Sequence, residues 1–195
     1  MSRAGDSRTE PVSIWKHLQA ILTLPITVTV VIPSVIILTT RTVNVGWSLP
    51  TPISLLPLLV GITLIGLGLV LMVKTIALFA IVGQGTLAPW SATQRLVVQG
   101  VYRHVRNPMI SGVFCILLGE AVCAGSRALL TWSGLFALIN AIYIPLIEEA
   151  GLEQRFGSDY VVYKRNVPRW IPRRTPWSQP GAIVRATRCP TDRCT

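Results

Sequence analysis

The 195 residues are 51% apolar and 13% charged, with a positive mean hydropathy and a formal charge of +10. That balance excludes an ordinary soluble domain and describes a chain that lives in a bilayer. Half of its eighteen Lys and Arg lie after residue 150, a placement suited to anionic lipid headgroups. No aromatic-interleaved basic platform accompanies them, so nucleic acid is not an expected partner.

Taken in order, residues 1–13 are polar and read as a mobile terminus. The first apolar run, 14–40, contains Pro25 and Pro33 and predicts one span with kinks. A loop over 41–52 follows, in which Trp47 suits an interfacial anchor. The second run, 53–82, exceeds what crossing requires and implies tilt or a break. Its Gly61, Gly66 and Gly68 permit close helix approach. Gly83-Gln84-Gly85 then opens a loop.

A third run, 109–124, ends at Gly125-Ser126-Arg127, and a fourth, 128–147, ends at Glu148-Glu149. Three linking residues predict an antiparallel helical hairpin. Over 152–167 the residues Leu152, Phe156, Tyr160 and Tyr163 recur at helical spacing, which predicts an amphipathic helix on the membrane surface. The basic stretch 173–195 reads as a disordered tail. The fold expected is therefore all-α and integral to the membrane: four transmembrane helices plus a C-terminal interfacial helix, forming one domain over 14–172.

Cys115 and Cys123 fall in an apolar helix and read as small buried hydrophobes. Cys189 and Cys194 lack a matching pair, so no metal site is expected, and neither a signal peptide nor a prenylation box is read. Lys74 and Glu120 interrupt their spans at depths of about 13 and 18 Å from the helix ends, which predicts that they meet.

Basic residues collect in the 91–106 loop and the tail, whereas the 41–52 loop and the Gly125-Ser126-Arg127 turn hold one each. Both termini are then cytoplasmic, in a multi-pass protein of the inner cell membrane. That topology carries Gly83-Gln84-Gly85, Arg106-Asn107-Pro108 and Glu148-Glu149 to one depth on one face.

The pattern Gly100-x-Tyr102-x-x-x-Arg106-Asn107-Pro108, with Glu148-Glu149, Phe156-Gly157-x-x-Tyr160-x-x-Tyr163 and Val167-Pro168-Arg169-x-Ile171-Pro172 downstream, resembles the isoprenylcysteine carboxyl methyltransferase family and its phospholipid-methylating relatives. The chain departs at Asn107, where the family usually has His, and at Ile110, where it often has Tyr. The resemblance implies a membrane methyltransferase using S-adenosylmethionine, acting on a lipid-like or prenylated amphiphile. It also implies a methyl-donor site built from Gly83, Gly85, Tyr102, Arg103, His104, Arg106, Asn107, Pro108, Glu148 and Glu149.

The chemistry of that donor agrees: a planar guanidinium suits its carboxylate, paired acids suit its amine and ribose hydroxyls, and glycines admit close backbone approach. Arg169 is expected to orient the acceptor, with Tyr163 and Trp170 lining the entrance. A positive-inside anchor explains the same basic cluster, and interfacial anchoring the same aromatics. The alternatives are a membrane reductase of the sterol type and a non-catalytic membrane subunit.

Overall fold

A computed structural model describes residues 23–82, 96 and 98–178. Gly83 and Gly85, the expected mobile terminus 1–13, the start of the first span and the tail beyond residue 178 with its two cysteines lie outside the described residues. The chain is helical. We label Thr23–Thr40 as α1, Leu55–Val82 as α2, Pro108–Ala124 as α3, Arg127–Phe156 as α4 and Ser158–Asn166 as α5. Three of these, α1, α2 and α4, are long and apolar enough to cross a membrane, and α3 is a shorter apolar helix of 17 residues.

Two prolines shape the long helices. Pro33 has no N–H to donate to the carbonyl four residues back, and the turn ahead of it, Thr27–Val31, widens so that Ile32 N–H reaches Thr27 O, five residues away. In α4 the wide turn Ile144–Glu148 contains Pro145 instead of preceding it, and Glu149 N–H reaches Ile144 O. Each wide turn takes up an extra residue and resets the face that the following residues present.

The pair α2 and α3 forms the centre. It is antiparallel, and its seam is made of glycine: Gly61 faces Gly119 and Gly68 faces Gly112. A Cβ built on Gly119 would lie 2.6 Å from Gly61 O, and one on Gly112 would lie 2.9 Å from Gly68 O. Backbone meets backbone there, a geometry that only small residues permit. Gly66 has open space around it and takes no part.

That register corrects one expectation. With Gly68 level with Gly112, Lys74 lies level with Arg106, whereas Glu120 lies level with residue 60, about 21 Å away along the axis. Lys74 and Glu120 do not meet. Depth cannot be counted from the end of α2, because that helix runs on past the start of α3.

At the far end of the bundle, Gly125 adopts a left-handed conformation and Ser126 caps α4. The 41–48 loop closes over this turn. Asn44 N–H donates to Ala124 O at 2.8 Å, Trp47 Nε1 to Val122 O at 3.0 Å, and Thr42 Oγ1 pairs with Ser126 Oγ at 3.1 Å. The first two satisfy carbonyls that a helix end would otherwise leave open.

At the near end, α4 continues through Glu149 to Phe156, and Gly157, at φ 55° and ψ −132°, breaks it from α5. The continuous helix expected over 152–167 is thus two helices, since that backbone conformation is one glycine alone adopts readily. The apolar stripe survives the break: Tyr160 and Tyr163 are buried with Val167 and Trp177, and Leu152 and Phe156 pack against them.

Candidate functional site

The site lies at the near end of the bundle, where four segments converge on one carboxylate. Glu149 is 2% exposed. Arg106, just ahead of α3, donates from Nη1 to Glu149 Oε1 at 2.8 Å. Arg169 grips both oxygens, Nε to Oε1 at 2.7 Å and Nη2 to Oε2 at 2.9 Å. Lys164 on α5 lies 3.2 Å from Glu149 Oε2 and 2.6 Å from Glu153 Oε1. The wide turn at Ile144–Glu148 turns Glu149 inward and leaves Glu148 exposed.

Local sequence explains how Arg106 is presented. Pro108 occupies the first turn of α3, where its missing N–H costs nothing, and it holds Asn107 out of helical geometry at φ −120° and ψ 61°. The segment before it is pinned by a returning strap. Arg106 N–H donates to Pro168 O, Arg173 N–H to His104 O and Trp177 N–H to Arg103 O, each at 3.0 Å. Side chains reinforce this: Arg103 Nε donates to Trp177 O at 2.7 Å, and His104 Nδ1 pairs with Arg173 O at 2.8 Å.

The strap corrects the expectation that disorder begins at residue 173. Residues 173–177 are held because backbone hydrogen bonds and the burial of Trp177, 8% exposed, outweigh their polar composition.

Of the residues expected to act together, Arg106, Glu149 and Arg169 do meet. Asn107 and Pro108 adjoin them. Arg103 and His104 face the strap instead, and Tyr102 offers its carbonyl to the Tyr163 hydroxyl at 2.7 Å. Tyr163 was expected at an entrance; it is 3% exposed and packs against Trp177 with ring centroids 5.8 Å apart. An apolar ring whose hydroxyl has an internal acceptor is more stable inside than at a polar rim. Lys164 was missed, because one lysine beside a tyrosine on a short helix carries no distinctive signal.

Charge in the cluster is uneven. Three cations, Arg106, Lys164 and Arg169, face two carboxylates, Glu149 and Glu153. Hydrogen bonds to Glu153 and Glu149 raise the pKa of Lys164, and the bond to Glu149 raises that of Arg169. Burial, then the charge of Glu149, pushes the Tyr160 phenol up to about 12; burial likewise raises Tyr163 and Tyr102. Two buried donors, Arg106 Nε and Asn107 Nδ2, have no hydrogen-bond partner among the described residues. Two open donors, one of them on a guanidinium, suit a small anionic group such as a carboxylate.

A family model described as phospholipid methyltransferase matches residues 56–159, just over half of the chain. Neither the curated proteins nor the solved structures return a match. The matched stretch takes in α3, Arg106 and Glu149 and stops before Lys164 and Arg169.

Proposed function

The chain belongs to the phospholipid methyltransferase family, and from that premise we propose that it moves a methyl group from S-adenosylmethionine to a lipid-like or prenylated amphiphile at the cytoplasmic membrane face. The observation that carries the reading is the meeting of Arg106 and Glu149, 43 residues apart in sequence and joined at 2.8 Å. The sulfonium donor, when bound, supplies an electrophilic methyl and needs no metal or redox partner for the displacement.

The residues present fit the amino-acid end of that donor. Arg106 Nε and Asn107 Nδ2 are the donors for its carboxylate, since both are buried without a partner among the described residues. Glu148, exposed one residue from the cluster, is the acceptor for its amine. Glu149 holds Arg106 in place and is itself held by Arg169, whose Nε and Nη2 are already engaged. Arg169 is therefore a positioning residue, and Tyr163 supports the strap rather than the acceptor. Catalysis in such a site comes mainly from orienting the reactants away from water.

Four crossings with both termini in the cytoplasm agree with the charges. Arg103, Arg106, Arg155, Lys164, Arg165, Arg169, Arg173 and Arg174 gather at the site end, against Arg41 and Arg127 at the other. At about 1.5 Å per residue, α3 reaches roughly 25 Å, near the thickness of the hydrocarbon core.

Incubating membranes with labelled S-adenosylmethionine and following label into extracted lipid tests the proposal. Arg106→Ala and Asn107→Ala are expected to weaken donor binding, measured by calorimetry, at least tenfold. Wild-type binding and methylation in both would overturn it, as would a wild-type protein that neither binds the donor nor labels lipid.

A further inference from the structure

A second polar feature lies far from the site. Glu120 on α3 lines a 510 Å³ cavity, open on one side, between α1 and the α3–α4 hairpin. The rest of the lining is mostly apolar and includes Val30, Ile37, Leu58 and Ile65. Glu120 Oε2 is buried and has no hydrogen-bond partner among the described residues. The charge expected to neutralise it, Lys74, is about two and a half turns from the nearest facing residue, Ile65.

An ionisable group at such depth is costly unless something pairs with it. The volume is that of a small-molecule site. The lining also states what fits: an apolar body, one acid and no cation. We propose that this groove binds a long-chain primary amine from the surrounding bilayer, with its chain along α1 and its amino group on Glu120.

A carboxylic acid and an amine stay neutral as a pair whichever of them holds the proton, so the pairing buries no net charge. An alcohol supplies no such exchange, and a fatty acid brings a second acid. The groove lies about 21 Å along the bundle axis from Arg106. It is thus separate from the methyl-transfer site, and its occupancy does not depend on that reading.

Photolabelling tests it. Purified full-length protein in detergent is irradiated with octadecylamine carrying a diazirine on its chain, and the labelled peptides are mapped. Label is expected on residues 29–37 and 120–129, displaced by plain octadecylamine at least fivefold better than by octadecanol, stearic acid or butylamine. Glu120→Gln is expected to cut labelling at least fivefold with the thermal melt unchanged. Ser34→Phe, which adds a ring at an exposed residue of the groove's lining, is expected to do the same. Equal competition by octadecanol or stearate, label spread over the lipid face of α2, or undiminished labelling in folded Glu120→Gln would each overturn the proposal. If Glu120→Gln fails to fold, the order of competitors on the wild type decides. Donor calorimetry on the same samples reads the methyl-transfer site separately.

Discussion

Arg169 holds Glu149 with two nitrogens, one on each carboxylate oxygen, at 2.7 and 2.9 Å. One residue belongs to the strap and the other to the apolar helix α4, so the pair joins the strap to the bundle. Bidentate geometry makes this contact specific to arginine.

Removing the carboxylate leaves Arg106, 10% exposed in its side chain, and Arg169 facing each other without a counter-charge. Glu149→Ala is expected to cost roughly 3 kcal/mol, since Arg169 and Lys164 keep some access to water. The thermal midpoint falls by about 10 °C. Arg169→Lys, which keeps the charge and loses the fork, falls by less than half as much. A melt followed by intrinsic fluorescence in detergent separates the three proteins.

The glycine seam predicts a contrast between near neighbours. Gly119→Val drives a side chain into Gly61 O and the Ile65 side chain, and its cost is expected to reach at least about 3 kcal/mol. Gly66→Ala meets nothing within 4 Å and gains helix propensity, so it holds stability or raises it by up to about 1 kcal/mol. Thermal melts and limited proteolysis of the two variants check this.

Trp177 packs in one cluster with Tyr160, Tyr163 and Val167. Trp177→Ala is expected to cost about 3–5 kcal/mol, as other buried aromatic truncations do. Trp170, 36% exposed, is the control, and its loss changes detergent stability by no more than about 0.5 kcal/mol.

Alkaline pH acts through the buried phenols. Folding favours their neutral forms, raising Tyr160 from 10.0 to about 12 and raising Tyr163 and Tyr102 as well. Their contribution to stability is complete below pH 10, where the unfolded chain is also neutral, and declines as pH rises from 10 through 12. Tyrosinate absorbance is expected to lag free tyrosine and then rise together with loss of near-ultraviolet circular dichroism. Titration of these phenols at the free value in folded protein would contradict it.

Much of the helical plan is legible in the sequence because apolar runs and breakers carry it directly. The Gly125-Ser126-Arg127 turn follows from breakers set between two apolar runs, and helix order puts Arg106 and Glu149 at one level, although not as the direct pair they form. Lys74 shows where counting fails: its level is set by which glycines face each other, and a sequence lists glycines without pairing them. Gly157 was hidden for a related reason, since Leu152, Phe156, Tyr160 and Tyr163 keep helical spacing across the break. The strap was hidden because its hydrogen bonds are made by backbone, to which composition is blind. Lys164 reaches Glu149 only because α5 folds back over α4.

The seam of Gly61, Gly68, Gly112 and Gly119 has a mechanical corollary. Two rods that touch along their peptide planes cannot slide or roll by a single residue without driving a side chain into a carbonyl, so they behave as one stiff beam. The strap is joined to that beam differently, through one acid on α4 and a few carbonyls of the segment that leads into α3.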